Sequence, residues 1–404
     1  MKHIILFDTE GNHTDLLPMS FTRPVAHFRV GITTIAEKWE RCFGAEASYL
    51  TPDYLAPKFP VKEEASNLWI AGNTLPEPGL VKSVSELAEG RGYFTSEGGL
   101  MAFRGSRAAF ESALENPEGT CEEWKGDVRR IIYLYHIFQY NGEALADDFR
   151  ALTAGRTSCP LSGSNRIIGN PLMEDGTPAL FIEEGATVEC ATINLTKGPV
   201  YIGKDAEVME GSCIRGPFAL CAGSKVNMLT KVYPDCTIGP RCKVGGELNN
   251  VVFFGNSNKA HDGYLGNAVI GEWCNIGAGT NASNLKNDYS KIRLWNYRRH
   301  TFMRTDLQFC GLIMGDHSKA GINCMFNTAT VVGVGCNIHG AGFPRVFIPS
   351  FSEGSPASGM SDVPLKKFFD IAARAMSRRN VPLTDGDRMI FERVAKVASQ
   401  FKYS

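Results

Sequence analysis

Aliphatic residues fall at a fixed interval through the middle of this chain. Ile202, Val208, Ile214, Leu220, Val226, Val232, Ile238 and Val244 follow one another every six residues without a slip. The register returns at Tyr264, Ile270 and Ile276, and again at Met314, Ala320, Phe326, Val332 and Ile338. A period of six fits neither a helix at about 3.6 residues nor a two-sided strand at about 2. It fits a short strand followed by a turn, three such units closing a triangular coil with the aliphatic side chain inside. Coils of this kind stack by parallel strand pairing, each contacting only its neighbours. Glycine follows the inward residue at Gly203, Gly239, Gly245, Gly271, Gly277, Gly315, Gly321 and Gly333, where the corner is expected to need a φ that glycine tolerates.

Two stretches, 251–263 and 282–311, break the period and are expected to carry extra length between coils. A corner can extrude a loop without disturbing the stack, and such loops tend to hold function. The second contains Lys286, Lys291, Arg293, Arg298, Arg299, His300 and Arg304. It reads either as a solvated basic loop or as a site for an anion such as a phosphate or coenzyme A. The first contains His261, three residues before the period returns. Histidine titrates near about 6.5, so at the mouth of a coil it can accept a proton at neutral pH.

Outside this region the pattern changes. Ile4–Phe7 reads as a buried strand, 31–42 as a helix, 66–71 as another strand and 127–154 as mostly helical. That makes residues 1–160 an α/β domain, with 161–177 a linker and 178–350 the repeat domain. Within 361–404, Leu365–Ser377 and Asp385–Phe401 read as amphipathic helices separated by Asn380-Val381-Pro382. Thr384 is expected to cap the second, with Asp387 in its first turn.

Composition narrows the field. Of 404 residues, 43% are hydrophobic and 21% charged, as in an ordinary globular protein. A net charge of -1 gives no reason to expect nucleic acid or an anionic membrane as partner. No apolar stretch is long enough for a membrane span, and the N-terminus lacks the apolar core of a signal peptide. The twelve cysteines are scattered, with no CxxC pair, and read as reduced thiols of a cytoplasmic protein. A zinc hydration site on a coiled scaffold, as in γ-class carbonic anhydrases, needs three histidines with two of them five residues apart; none of the eight here is so spaced.

The segment Lys259-Ala260-His261, Tyr264-Leu265-Gly266, Ile270-Gly271-Glu272-Trp273-Cys274-Asn275-Ile276-Gly277-Ala278-Gly279-Thr280 and Asn284 resembles the acetyltransferase domain of GlmU-type enzymes. That resemblance implies a left-handed parallel β-helix of hexapeptide repeats, trimeric assembly with the site between subunits, and acetyl-CoA as co-substrate. It places His261 as catalytic base, and Tyr264, Asn275 and Asn284 as substrate contacts. A substrate-binding arginine of the family falls on Lys231 and a substrate-binding lysine on Asn249. Lys231 keeps the charge without the bidentate fork. Lys291 and Arg293 are expected to meet coenzyme A.

The stretch Leu16-Leu17-Pro18-Met19-Ser20-Phe21-Thr22-Arg23-Pro24-Val25, with Arg29-Val30-Gly31-Ile32 and Thr33 to Trp39, resembles a divergent, Bacteroidetes-type branch of the same family. Gly315 to Asn323 and Phe347 to Ser352 extend the likeness along most of the chain. By it the N-terminal domain is a sugar-1-phosphate nucleotidyltransferase making UDP- or dTDP-sugars from an NTP with Mg2+, and Arg23, Arg29, Lys38 and Asn73 are nucleotide-binding. Read from the residues alone, Arg23 and Arg29 are equally surface charges beside a turn. The family's glycine-rich phosphate loop is replaced by Thr9-Glu10-Gly11-Asn12-His13, a poor cradle. Asn73 stands where a metal-binding aspartate is usual, and brings no charge. Two other readings therefore stay open: a monofunctional acyltransferase with an inactive first domain, or a non-catalytic regulator that senses a sugar nucleotide.

Overall fold

The computed structural model describes residues 3–402, which form two compact units. The first comprises residues up to Phe28 together with Thr33–Tyr133; the second comprises Arg29–Ile32 and Leu134 onward.

The first unit is built on a six-stranded sheet in the order β2-β1-β3-β5-β4-β6. Its strands are β1 (His3–Phe7), β2 (Glu46–Leu50), β3 (Asn67–Ala71), β4 (Arg91–Phe94), β5 (Leu100–Gly105) and β6 (Cys121–Glu123). Between β1 and β2 lie α1 (Glu10–Asp15) and α2 (Ile35–Phe43); α3 (Pro78–Ser85) and α4 (Arg107–Glu115) follow β3 and β5. β1 pairs in parallel with both β2 and β3, while β5 runs antiparallel to β3 and β4. Because the chain leaves β1 first to one side and then to the other, the carboxyl ends of β1 and β3 mark a topological switch point. Ile5, Phe7, Trp69, Phe103 and Phe110 form the core on one face. α2 begins four residues later than the expected 31, because Thr34 and Glu37 make a reciprocal capping box there.

The expected helix over 127–154 is only partly present. Residues 129–131 instead run alongside the segment that follows β3, with Leu75 N donating to Arg129 O at 2.9 Å and Ile131 N to Asn73 O at 2.7 Å. Helix begins with α5 (His136–Gln139) and α6 (Asn141–Thr153), which belong to the second unit. Leu145 and Phe149 of α6 pack on Phe181, Ala219 and Cys221, and the buried Asn141 amide donates to Asp235 O at 2.8 Å and Thr237 Oγ1 at 3.0 Å.

The strands of the second unit coil into a parallel β-helix. All eight aliphatic residues from Ile202 to Val244 are at most 2% exposed, and pairs such as Ile214↔Val232 and Val226↔Val244 repeat every eighteen residues, one coil. Strand pairing already begins at Arg166–Ile168, inside the expected linker 161–177, and joins Thr192–Asn194.

Three expectations are corrected. Residues 251–263 are not an extruded loop: the coil is shortened there, Val244 pairing with Lys259 and Ile238 with Phe253 only fifteen residues on. Leu265 rather than Tyr264 is the inward residue, paired with Leu248 and Ala282, so the Tyr264 side chain is free to face outward. The glycines after the inward residues are set by coil spacing rather than by φ. A Cβ on Gly203 would lie 2.8 Å from Ala222 N, and one on Gly239 would collide with Phe254 O. The left-handed residues come two positions later, at Asp205, Arg241, Trp273 and His317 among others.

The stretch 282–311 does leave the coil, as a loop containing an antiparallel ribbon, Arg293–Asn296 with Thr301–Arg304. Beyond the last coil, α7 (Leu365–Ser377) and α8 (Asp385–Ala398) fold back, α8 capped by Thr384 with Asp387. They cover one corner, where Phe368 and Phe391 meet the His317 ring at 5.6 and 5.2 Å. Arg379 adds bonds to Arg241 O (3.1 Å) and Asn258 Oδ1 (2.9 Å).

Candidate active site

His261 lies on the turn between the strands Asn258–Lys259 and Tyr264–Glu272, at a corner of the shortened coil. Its side chain is exposed. The turn's main chain is held from below and within. Ala260 O accepts from Asn227 Nδ2 at 2.8 Å, and His261 O accepts from Lys259 Nζ at 2.8 Å.

On one side of this corner the coils stack Lys231, Glu247 and Tyr264 in register. Lys231 Nζ is 3.1 Å from Glu247 Oε2. Burial raises the pKa of the Tyr264 phenol, against the opposing pull of hydrogen bonds with Asn249 and Asn284. Asn284 in turn donates to Asn267 Oδ1 at 2.7 Å. Gly266 floors this cluster: a Cβ there would strike the Tyr264 hydroxyl and lie 2.7 Å from Asn284 Nδ2. So Lys231, Tyr264 and Asn284 share one face, and Asn249, at the position of a family lysine, joins them as a neutral partner.

Asn275 does not share it. It pairs with Asn258 on the sheet that enters the His261 corner from the other side, their amides 3.4 Å apart. His261 thus stands between Asn275 and the Tyr264 cluster.

The excursion 282–311 brings six cations against Asp288 and Asp306. Lys291 and Arg293 are exposed. The Lys291 ammonium bonds Asp306 O, and Arg293 spends one nitrogen on Phe302 O at 3.4 Å, leaving the rest of its fork open. Trp295 and Phe302 of the ribbon line a cavity of about 940 Å³ with Phe347, Arg345, Met360 and Lys402.

In the first unit the switch point carries groups that sequence reading missed. Asp8, at the end of β1, accepts Val25 N at 3.1 Å and lies 3.3 Å from His13 Nδ1. His13 Nε2 is 2.9 Å from Tyr54 Oη, which donates to Phe21 O at 3.0 Å. The signal for Asp8 was an acid directly after an apolar run; His13 and Tyr54 lie 41 positions apart and gave none. In place of a glycine loop stands α1, opened by Thr9, whose hydroxyl accepts Asn12 N.

Arg23, Lys38 and Asn73 are 7%, 4% and 2% exposed, so the surface-charge reading fails for Arg23. It fails for Arg29 too, at 8%. Arg29 lies in the second unit, donating to Phe254 O at 3.1 Å and to Ile32 O. Lys38 Nζ is 3.0 Å from Thr33 Oγ1. Asn73 donates to Ile131 O at 3.1 Å and its oxygen lies 3.5 Å from Thr74 Oγ1. An uncharged, buried amide already engaged with main chain does not fit a magnesium ion. Among the described residues no group of three or more His, Cys, Asp or Glu is arranged for a metal, and no helix is long and apolar enough to cross a membrane.

Residues 4–157 match the family of sugar nucleotidyl transferases. A bifunctional sugar-1-phosphate nucleotidylyltransferase/acetyltransferase of Sulfurisphaera tokodaii is 30% identical over 146 residues, covering 35% of this chain and 36% of the relative. A bifunctional protein GlmU of Trichodesmium erythraeum is 34% identical over 141 residues, covering 33% of this chain and 24% of the relative. Over these stretches the chain resembles GlmU-type proteins. It spans about a quarter to a third of the length of these two relatives, the first of which is named for both transfers. Among solved structures, an Arabidopsis UDP-N-acetylglucosamine acyltransferase aligns over 61% of this chain and 98% of its own, at 15% identity and a TM-score of 0.23. At that score the overlay carries no weight beside the chain's own strand register.

Proposed function

We propose that the second unit is a sugar-phosphate N-acetyltransferase in which His261 is the general base, acetyl-CoA the donor and a glucosamine-1-phosphate-like amine the acceptor. The observation that carries this reading is the exposed His261 set on a pinned turn beside the Tyr264–Asn249–Asn284 cluster. His261 takes a proton from the amine as its nitrogen attacks the thioester carbonyl. The C–S bond then breaks and the departing thiolate takes the proton back from His261, giving the amide and the free thiol of coenzyme A. Lys231 supplies charge for the phosphate, Tyr264 and Asn284 hydrogen bonds to the sugar, and Asn275 a contact from the opposite side of the corner. Lys291 and Arg293, exposed cations on the excursion whose Trp295 and Phe302 line the cavity of about 940 Å³, suit a phosphorylated donor. His261 is exposed on the single chain, which supports a homotrimer in which a second copy closes the site. The twelve free cysteines suit the cytoplasm.

For the first unit, the family match supports sugar-nucleotide chemistry with a UDP- or dTDP-sugar as ligand. The missing glycine loop and the engaged Asn73 favour binding without nucleotidyl transfer. Thiol release from acetyl-CoA with glucosamine-1-phosphate tests the acyl-transfer reading. His261→Ala is expected to lower kcat by about 10²–10⁴; a variant as fast as the unmodified protein refutes it. Pyrophosphate release from UTP or dTTP with sugar phosphate and Mg2+ decides whether the first unit turns over.

A further inference from the structure

We propose that Lys259 is a positioning residue for His261, acting from inside the β-helix. This rests on the reading of His261 as the base. Strand register lines up Val188, Val208, Val226, Val244 and Lys259 in one inward column, which continues through Ile276, Ala320 and Ile338. Lys259 is 1% exposed, so an ammonium stem occupies a slot that these other coils fill with an aliphatic side chain. A methionine or leucine would pack there without removing a charge from water, which costs several kcal/mol per ion in general. The lysine must therefore contribute something that packing does not.

Its contacts show what that is. Nζ runs out toward the corner and donates to two main-chain carbonyls, Gly245 O at 3.0 Å and His261 O at 2.8 Å. Those residues sit on successive coils of the same corner, so the ammonium ties the His261 turn to the coil beneath it. Room for it is reserved, since a Cβ on Gly246 would come within 2.9 Å of Nζ. With Asn227 holding Ala260 O, two adjacent carbonyls of the turn are fixed by side chains, and the imidazole projects from a turn that cannot easily rotate. Charge-assisted bonds of this kind are stronger than neutral ones, and a base displaced by about 1 Å can lose about 10²-fold in rate.

The test is Lys259→Met, which keeps stem and volume and deletes the donors. Expected are an unchanged or higher Tm, kcat for thiol release lowered about 100-fold, and KM for acetyl-CoA and glucosamine-1-phosphate within about twofold. Lys259→Gln, which restores an N–H donor, is expected to recover part of the loss. Lys319→Met removes a second buried ammonium, bonded to Trp273 O and His317 O at a different corner, and is expected to leave the rate alone. Full kcat in Lys259→Met overturns the proposal, as does a loss that Gln does not relieve. If Lys259→Met does not fold, Asn227→Ala takes its place under the same criteria. The two ideas fail separately: an active His261→Ala removes the base assignment, whereas an inactive His261→Ala with a fully active Lys259→Met removes only the positioning role.

Discussion

Lys231 and Glu247 face each other from adjacent coils, ammonium to carboxylate at 3.1 Å. The cation stacked in register with Tyr264 is therefore partly neutralised by its own scaffold. Both side chains are substantially exposed, 59% and 33%, so the pair adds little to stability. Under the proposed acyl transfer, its weight falls on how Lys231 meets an incoming phosphate. Glu247→Gln is expected to lower KM for a phosphorylated acceptor several-fold, and Lys231→Ala to raise it about tenfold, the size of one charge-assisted bond. Steady-state kinetics with phosphorylated and unphosphorylated amino sugars decide; equal effects on both would show that Lys231 does not read phosphate.

Gly266 offers a way to spoil the cluster while sparing the coil. Its missing Cβ leaves the space that the Tyr264 hydroxyl and Asn284 amide use. Gly266→Ala is expected to displace both and to cost at least tenfold in kcat/KM, about 1.4 kcal/mol. Thermal unfolding should move by only a few degrees, because the collision is with side-chain ends. Unaltered kcat/KM would mean that the cluster does not touch substrate.

At Asn73 a structural role and a metal role give opposite results. Removing the bond to Ile131 O in Asn73→Ala should cost about 1–3 kcal/mol. Urea unfolding followed by Trp39 fluorescence reads this locally, since Trp39 Nε1 donates to the neighbouring Thr74 O at 2.8 Å. Asn73→Asp should also destabilise, because it presses a carboxylate on a carbonyl in a buried place. A gain of Mg2+-dependent pyrophosphate release in Asn73→Asp would reverse this assignment.

His27 makes the first unit sensitive to acid. Burial holds its pKa down at about 4, with Arg23 and Lys58 adding to the effect and Glu37 opposing it. Its ring packs edge-on against Tyr49 and Phe59 at 4.6 and 5.0 Å. The unfolded chain binds the proton at about 6.5, so stability is complete above that pH and is lost as pH falls toward 4. The loss at full protonation is about 3 kcal/mol at most. Amide exchange of β2 measured from pH 7 to pH 4 should show it, and His27→Phe should flatten the profile. An unchanged slope in His27→Phe would assign the acid response elsewhere.

Much of the second unit was readable because one physical demand repeats: a narrow prism admits one aliphatic side chain per face, and that leaves a six-residue mark. The reading failed where the demand was met differently. Lys259 fills an inward slot with a polar residue, so the period seemed to lapse and a shortened coil looked like a loop. Tyr264 was taken as inward because it fell on the arithmetic, whereas the short coil moves the inward position to Leu265. Glycine was credited with φ when backbone proximity was the cause. His261, Tyr264 and Asn284 were found through resemblance to a family motif. In the first unit, contacts such as His13 with Tyr54 join distant positions, and no local pattern announces them.

The excursion at 282–311 leaves and rejoins the coil between strands that stay paired: Leu265 still meets Ala282, and Ile270 still meets Met314. Scaffold and excursion are therefore separable heritable parts. Lengthening or rewriting the excursion costs the stack little, since loop-closure entropy grows only slowly with length. The excursion can drift within a lineage by exchange of this one segment, while the column of aliphatic side chains stays as it is.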